Sequence, residues 1–137
     1  MSETNIEIAL LARLKAMLPA ISTAWPNMGF TPVTGTPWQR VAVLRAEPLA
    51  AFHGSTGKPV YRSGILSVTL FYPPEQGSGA AMTRAEAIVA HFPRALSLSQ
   101  GDTSLRIADE PRILPALPEA AWYALPVHIP YYSYDFG

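Results

Sequence analysis

Residues 62–72 read Arg62-Ser63-Gly64-Ile65-Leu66-Ser67-Val68-Thr69-Leu70-Phe71-Tyr72, and the reading of this stretch decides the fold class. Leu66, Val68, Leu70 and Tyr72 alternate with Ser67, Thr69 and Phe71, the two-residue period of a strand that lays one face on a core. Pro73-Pro74-Glu75-Gln76-Gly77-Ser78-Gly79 follows and ends it. Upstream, Trp38 to Arg45 is a second β-rich run, with Val41 and Val43 on one side and Arg40 and Ala42 on the other. Downstream, a last strand over about 122–134 sets Leu125, Val127, Ile129 and Tyr131 on one face. Pro126 and Pro130 share the other face with His128. Amide directions alternate along a strand, so both prolines lack a donor on the same edge, and that edge is not expected to be fully paired. An edge strand, or one that kinks away, follows from this. Short strands fit residues 104–108 and 112–114.

Two segments switch to helical period. In residues 5–18, Ile6, Leu10, Leu14, Met17 and Ile21 recur every three or four positions. Thr4-x-x-Glu7 precedes them as a capping box, and Pro19 stops or bends the helix. Over about 83–92, Ala85, Ile88, Val89 and Phe92 form the second stripe, with Thr83-x-x-Glu86 as its capping box and Pro93 as its close. The order is helix, two strands, helix, then two or three strands. One α+β domain over residues 1–137 is expected, a mostly antiparallel sheet with both helices packed on one face.

Composition narrows the function. Charged residues are 15% of the chain, below the roughly 25% of an average domain, so part of the apolar surface is expected to meet a partner. Ten basic residues balance ten acidic ones, which gives no global attraction to nucleic acid or anionic membrane. The charge is unevenly spread. Residues 39–62 hold Arg40, Arg45, Lys58 and Arg62 against Glu47, a net of +3. Residues 101–137 hold Arg106 and Arg112 against Asp102, Asp109, Glu110, Glu119 and Asp135, a net of −3. These are solvated loops or two complementary surfaces that meet between subunits. The chain has no cysteine, a start without the basic region of a signal peptide, and no apolar run long enough to span a bilayer.

The chemistry-bearing motifs fail one by one. Gly54-Ser55-Thr56-Gly57-Lys58 has two residues between its glycines where a phosphate-binding loop needs four, and Pro59 stands where a hydroxyl should hold Mg²⁺. His53, His91 and His128 are too widely spaced for a local zinc pair and read as structural. Gly77-Ser78-Gly79 is not a nucleophile elbow. Asp109 and Glu110 are adjacent, so on a strand they point to opposite faces; Pro111 supports a turn. We therefore expect no catalytic residue, no cofactor and no metal. Nucleic-acid recognition would require a basic stripe with interleaved aromatics, and the +3 segment with Trp38, Phe52 and Tyr61 falls short.

What remains are surfaces. Residues 24–38 pack two tryptophans and Phe30 among three prolines and two glycines, an irregular loop that either folds back on its own sheet or docks on another chain. Residues 46–61 and 73–81 are long, Gly/Pro-rich candidate contact loops. Tyr131-Tyr132-Ser133-Tyr134-Asp135-Phe136 ends the chain with rigid amphipathic rings of the kind enriched at interfaces. The candidate subunit or partner interface is Arg40, Arg45, Phe52, Lys58, Arg62, Tyr131, Tyr132 and Tyr134.

Several loop and strand signatures stand in a familiar order. Trp25-Pro26-Asn27-x-x-Phe30-x-Pro32-x-x-Gly35-x-Pro37-Trp38-x-Arg40-Val41 leads into Gly64-Ile65-Leu66-Ser67-Val68. A Pro73/Pro74-to-Gly77-x-Gly79 turn, a helix ending in Phe92 and Pro126-Val127-His128-Ile129-Pro130-Tyr131 follow. Over roughly residues 5–135 the chain resembles the phage tail terminator, or tail completion, family. It departs from the pattern at Pro130 and in a longer, more hydrophobic 93–104 segment.

The resemblance implies a hexameric ring that caps the growing end of a long non-contractile tail tube, stops polymerisation and presents a surface to the head. Its partners would be copies of itself, the tail tube protein and head-tail connector proteins. It would be made in the bacterial host cytoplasm and end in the virion tail, with no catalytic residue. The alternatives from the sequence are another head-tail adaptor, a tube subunit or, more distantly, a small ligand-binding domain or enzyme.

Overall fold

A computed structural model describes residues 3–46, 49–50, 60–119 and 121–135. Its elements in chain order are α1 (Glu3–Lys15), β1 (Ser22–Ala24), β2 (Trp38–Arg45), β3 (Leu49–Ala50), β4 (Val60–Tyr72) and α2 (Gly79–His91). Then come β5 (Ser97–Gln100), β6 (Thr103–Ile107), β7 (Arg112–Ile113), β8 (Leu117–Glu119) and β9 (Trp122–Asp135). Among the described residues one nine-stranded sheet runs β1-β2-β4-β9-β6-β5, with β3 added to β4 and β7 and β8 added to β9. Every pairing is antiparallel except β1 with β2. The fold is α+β.

The spine is the long pairing of β4 with β9, in which Leu66 faces Ile129, Val68 faces Val127 and Leu70 faces Leu125. All six side chains are buried, and both helices close over them. α1 contributes Ile6, Leu10 and Leu14, α2 contributes Ala81, Ala85 and Ile88, and Met17 and Phe92 seal the helix ends. Burial of each large aliphatic here stabilises the fold by about 1.5–3 kcal/mol relative to exposure. The helices are tied to each other at their ends. Arg13 donates from Nε and Nη2 to the His91 carbonyl at 3.1 and 2.9 Å, and His91 Nε2 lies 2.7 Å from the Arg13 carbonyl. A carbonyl only accepts, so that ring nitrogen carries a proton.

The last strand corrects the expectation of an edge. β9 lies inside the sheet, paired with β4 from Tyr72↔Tyr123 to Val60↔Asp135. Its other edge is covered in three short pieces: Ile107↔Tyr131 begins one, Arg112↔His128 and Ile113↔Val127 make the next, and β8 pairs with residues 122–124. The two prolines stand at the breaks. Pro130 accepts from the Ala108 amide at 2.8 Å, and Pro126 accepts from the Leu114 amide at 2.9 Å. A proline can accept but cannot donate, so each closes one short ladder and begins a gap. The incompletely paired edge was expected correctly; its partners are fragments rather than solvent.

Both helices start earlier than their capping boxes suggest. Thr4 lies within α1, and Glu7 serves an ion pair instead of a cap. Thr83 lies within α2, whose N-cap is Ser78, because Gly79-Ala80-Ala81-Met82 extends the helix by a turn and buries Ala81. α1 ends at Lys15, short of Pro19. The strands β1, β3, β5 and β8 are additions that the sequence pattern did not indicate.

Candidate partner-binding face

With both helices on one side, the other side of the sheet carries the side chains of opposite parity. At one end this face is closed by the chain's own aromatic loop. Trp38 stacks on Phe71 at 4.1 Å and on Phe30 at 5.1 Å, with Trp122 edge-on at 6.0 Å. Trp38, Phe71 and Ala124 are buried there as a second small core. The tryptophan-rich loop therefore folds back on its own sheet, and the choice left open by the sequence is settled for Phe30 and Trp38.

The other end of the face has no such cover from the described residues. Tyr61 of β4 and Tyr132 and Tyr134 of β9 form a ring cluster, with centroids 6.0 Å apart for 61–132, 5.3 Å for 61–134 and 5.9 Å for 132–134. The register causes this. Tyr61 lies opposite Tyr134, and Tyr132 is two residues along the same face. Beside them Leu44 is 50% exposed and Tyr134 43% exposed. Leu44, Tyr61, Ser63, Ile65 and Pro130 line a shallow depression of about 360 Å³. One cation stands beside the cluster, and two more lie further along the same face. Arg106 is opposite Tyr132 and Arg112 opposite His128, both exposed and without an ion pair among the described residues. Arg40 lies over the Phe71 ring at 4.9 Å and 4.0 Å from Glu119.

Of the residues proposed from sequence, this face holds Arg40, Tyr132 and Tyr134. It adds Tyr61, Arg106 and Arg112, whose shared side follows from strand register and could not be read from spacing alone. Arg45 and Arg62 lie on the helix side, where they clamp the first turns of α1. Arg45 is 2.9 Å from Glu7 and 3.5 Å from Glu3, and Arg62 is 3.1 Å from Glu3.

Tyr131, expected at a partner surface, is a core side chain with 1% exposure. It lies opposite Gly64, where an added Cβ would come within 2.6 Å of its hydroxyl. Burial first, and the Glu3 charge second, push its phenol pKa up to about 12. Phe52 and Lys58 lie outside the described residues, as do His53, the Gly54–Lys58 motif and most of the 46–61 loop.

Two further polar groups make bonds within the fold. Asp109 accepts the Glu110 amide at 2.8 Å, at the bend between β6 and β7. Arg84, on the core side of α2 and 7% exposed, donates to the Pro19 carbonyl at 2.5 Å and holds the α1–β1 connection. Among the described residues no three His, Cys, Asp or Glu side chains are gathered as metal ligands, and no helix is long and apolar enough to cross a membrane.

One end of the helix-free face thus carries a tyrosine cluster with Arg106 beside it, without cover from the described residues. The chain belongs to the phage tail terminator family, whose model, described as phage tail terminator protein, matches residues 5–131. This is a family of structural proteins of the phage tail. A solved structure 26% identical in sequence superposes with a TM-score of 0.79, covering 100% of this chain and 98% of that one. No curated protein matches the chain.

Proposed function

We propose that this protein closes into a ring on the end of a long non-contractile tail tube, ends tube polymerisation there, and presents the surface to which the head is joined. The family match over residues 5–131 carries this reading. The open end of the sheet supports it, because a capping ring needs a lateral contact surface on every copy. Tyrosines supply large rigid area and arginines supply orientation in such a contact. The partners are further copies of the chain, the tail tube protein and the head-tail connector proteins. The protein is made in the host cytoplasm and ends in the virion tail.

The test is to add the purified protein to tail tubes during elongation and measure tube lengths by electron microscopy. A cap stops growth and is seen at one end. A protein that becomes distributed along the tube is a tube subunit, and the terminator reading is then wrong.

A further inference from the structure

The exposed charges of the chain fall on two sides of the sheet. On the helix-free side stand Arg40, Arg106 and Arg112, with Glu119 beside Arg40. On the helix side, α2 and the β6–β7 bend enclose a cleft of about 550 Å³ with Val89, Pro93 and Ile113 among its walls and Glu86, Glu110 and Arg94 at its rim. Asp109 precedes Glu110 on the same bend and is exposed.

Neither Arg106 and Arg112 nor Glu86, Asp109 and Glu110 has an ion pair among the described residues. Arg112 is only two residues from Glu110. Even so, strand register turns its side chain to the helix-free side, whereas Glu110 lines the cleft with α2. The two sets cannot neutralise each other across their own sheet.

The two surfaces match in a second respect. One offers tyrosine rings with the Arg106 guanidinium beside them and Arg112 further along β9 on the same face; the other offers apolar walls rimmed by the Glu86 and Glu110 carboxylates and by Arg94. A ring on the cleft walls with an arginine on its rim would satisfy both at once. Because the surfaces lie on different sides of the chain, each copy gives one and accepts one, the head-to-tail arrangement that closes into a ring or continues as a filament.

We infer that the helix-free face around Tyr61, Tyr132 and Arg106 of one copy seats on the Glu86–Glu110 cleft of the next copy. This rests on the ring reading above and deepens it. It also moves the basic half of the contact. Arg45 and Arg62 hold α1, while Arg106 and Arg112, which belong to the net-acidic C-terminal segment, supply the cations.

The chain has no cysteine, so single cysteines report contacts cleanly. Tyr132→Cys and Glu86→Cys are prepared separately, mixed and oxidised at a concentration where the wild type assembles. A disulfide-linked dimer in the mixture, and none in either variant alone, is expected. Tyr132→Cys dimers formed alone would mean a two-fold contact and overturn the inference, as would no crosslink in a mixture that still assembles.

Charge exchange guards against misfolding as an explanation. Arg106→Glu with Arg112→Glu should raise the concentration needed for half-assembly at least about tenfold. Mixing that variant with Glu86→Lys, Glu110→Lys chains should restore pairwise association. Unchanged assembly of the arginine variant overturns the contact and leaves the ring standing. A wild type that forms no ring, either alone or on added tail tubes, overturns both.

Discussion

Gly64 and Tyr131 show how one pair of residues shapes a sheet. The two are register partners on the core side of β4 and β9, and a Cβ at position 64 would lie 2.5 Å from the Leu44 carbonyl oxygen. The backbone carbonyl has little room to retreat, so Gly64→Ala is expected to lower stability by about 1–3 kcal/mol in a denaturant titration. Tyr131 hides a hydroxyl with no hydrogen-bond partner among the described residues. Its phenol is raised to about 12 in the fold, against an unfolded value near 10. The raised value means that the folded chain holds the proton more tightly. This contribution is therefore whole below pH 10 and is lost as pH climbs from about 10 to 12. Tyr131→Phe removes both the orphaned hydroxyl and the titration. The variant should be at least as stable as wild type near neutral pH, and the part of the alkaline decline due to this phenol should vanish from its stability-pH curve.

At the scale of elements, the reciprocal bonds of Arg13 and His91 fasten the end of α1 to the end of α2. Arg13→Ala leaves the His91 carbonyl without its charged donor, and a loss of about 1.5–3 kcal/mol is expected by chemical denaturation. The ion pairs of Arg45 and Arg62 with Glu3 and Glu7 are partly exposed and individually weaker, about 0.2–1 kcal/mol each, and should weaken further in salt. The long elements were legible because their periods run far enough to count: β2 was bounded correctly, and Leu66-Val68-Leu70 and Leu125-Val127-Ile129 form the spine expected of them. β3, at two residues, and β1 and β8, at three each, are too short to hold a period. The status of β9 was obscured for a related reason. Pro126 and Pro130 correctly mark an interrupted edge, but a sequence does not say that β6, β7 and β8 are cut to fit between the interruptions. The capping boxes misplaced both helix starts because Ser/Thr-x-x-Glu also occurs inside a helix.

For the whole molecule, the consequence of two helices on one side is a sheet with a second face to account for. Its Trp38 end is filled from within; Trp38→Ala should open a cavity between Phe30 and Phe71 and cost about 3–5 kcal/mol, read by thermal or denaturant unfolding. Its tyrosine end has no such cover from the described residues, and the proposed contact between copies falls there. The C-terminal tyrosines were legible as surface candidates, except that Tyr131 shares its face with Leu125, Val127 and Ile129, and that alternation, rather than its place in a tyrosine run, decides its burial. The charge logic was not legible from segments: Arg45 and Arg62 count with Arg40 along the chain but stand across the sheet from it. The most direct measurement of the central claim is absolute mass by light scattering over a concentration series, with electron microscopy of the largest species, for wild type and the Arg106→Glu, Arg112→Glu variant together. The account predicts closed rings of about six copies for wild type and smaller species for the variant at the same concentration. Open tubes from the wild type, or a monomer at every concentration that also forms no ring on added tail tubes, would contradict it.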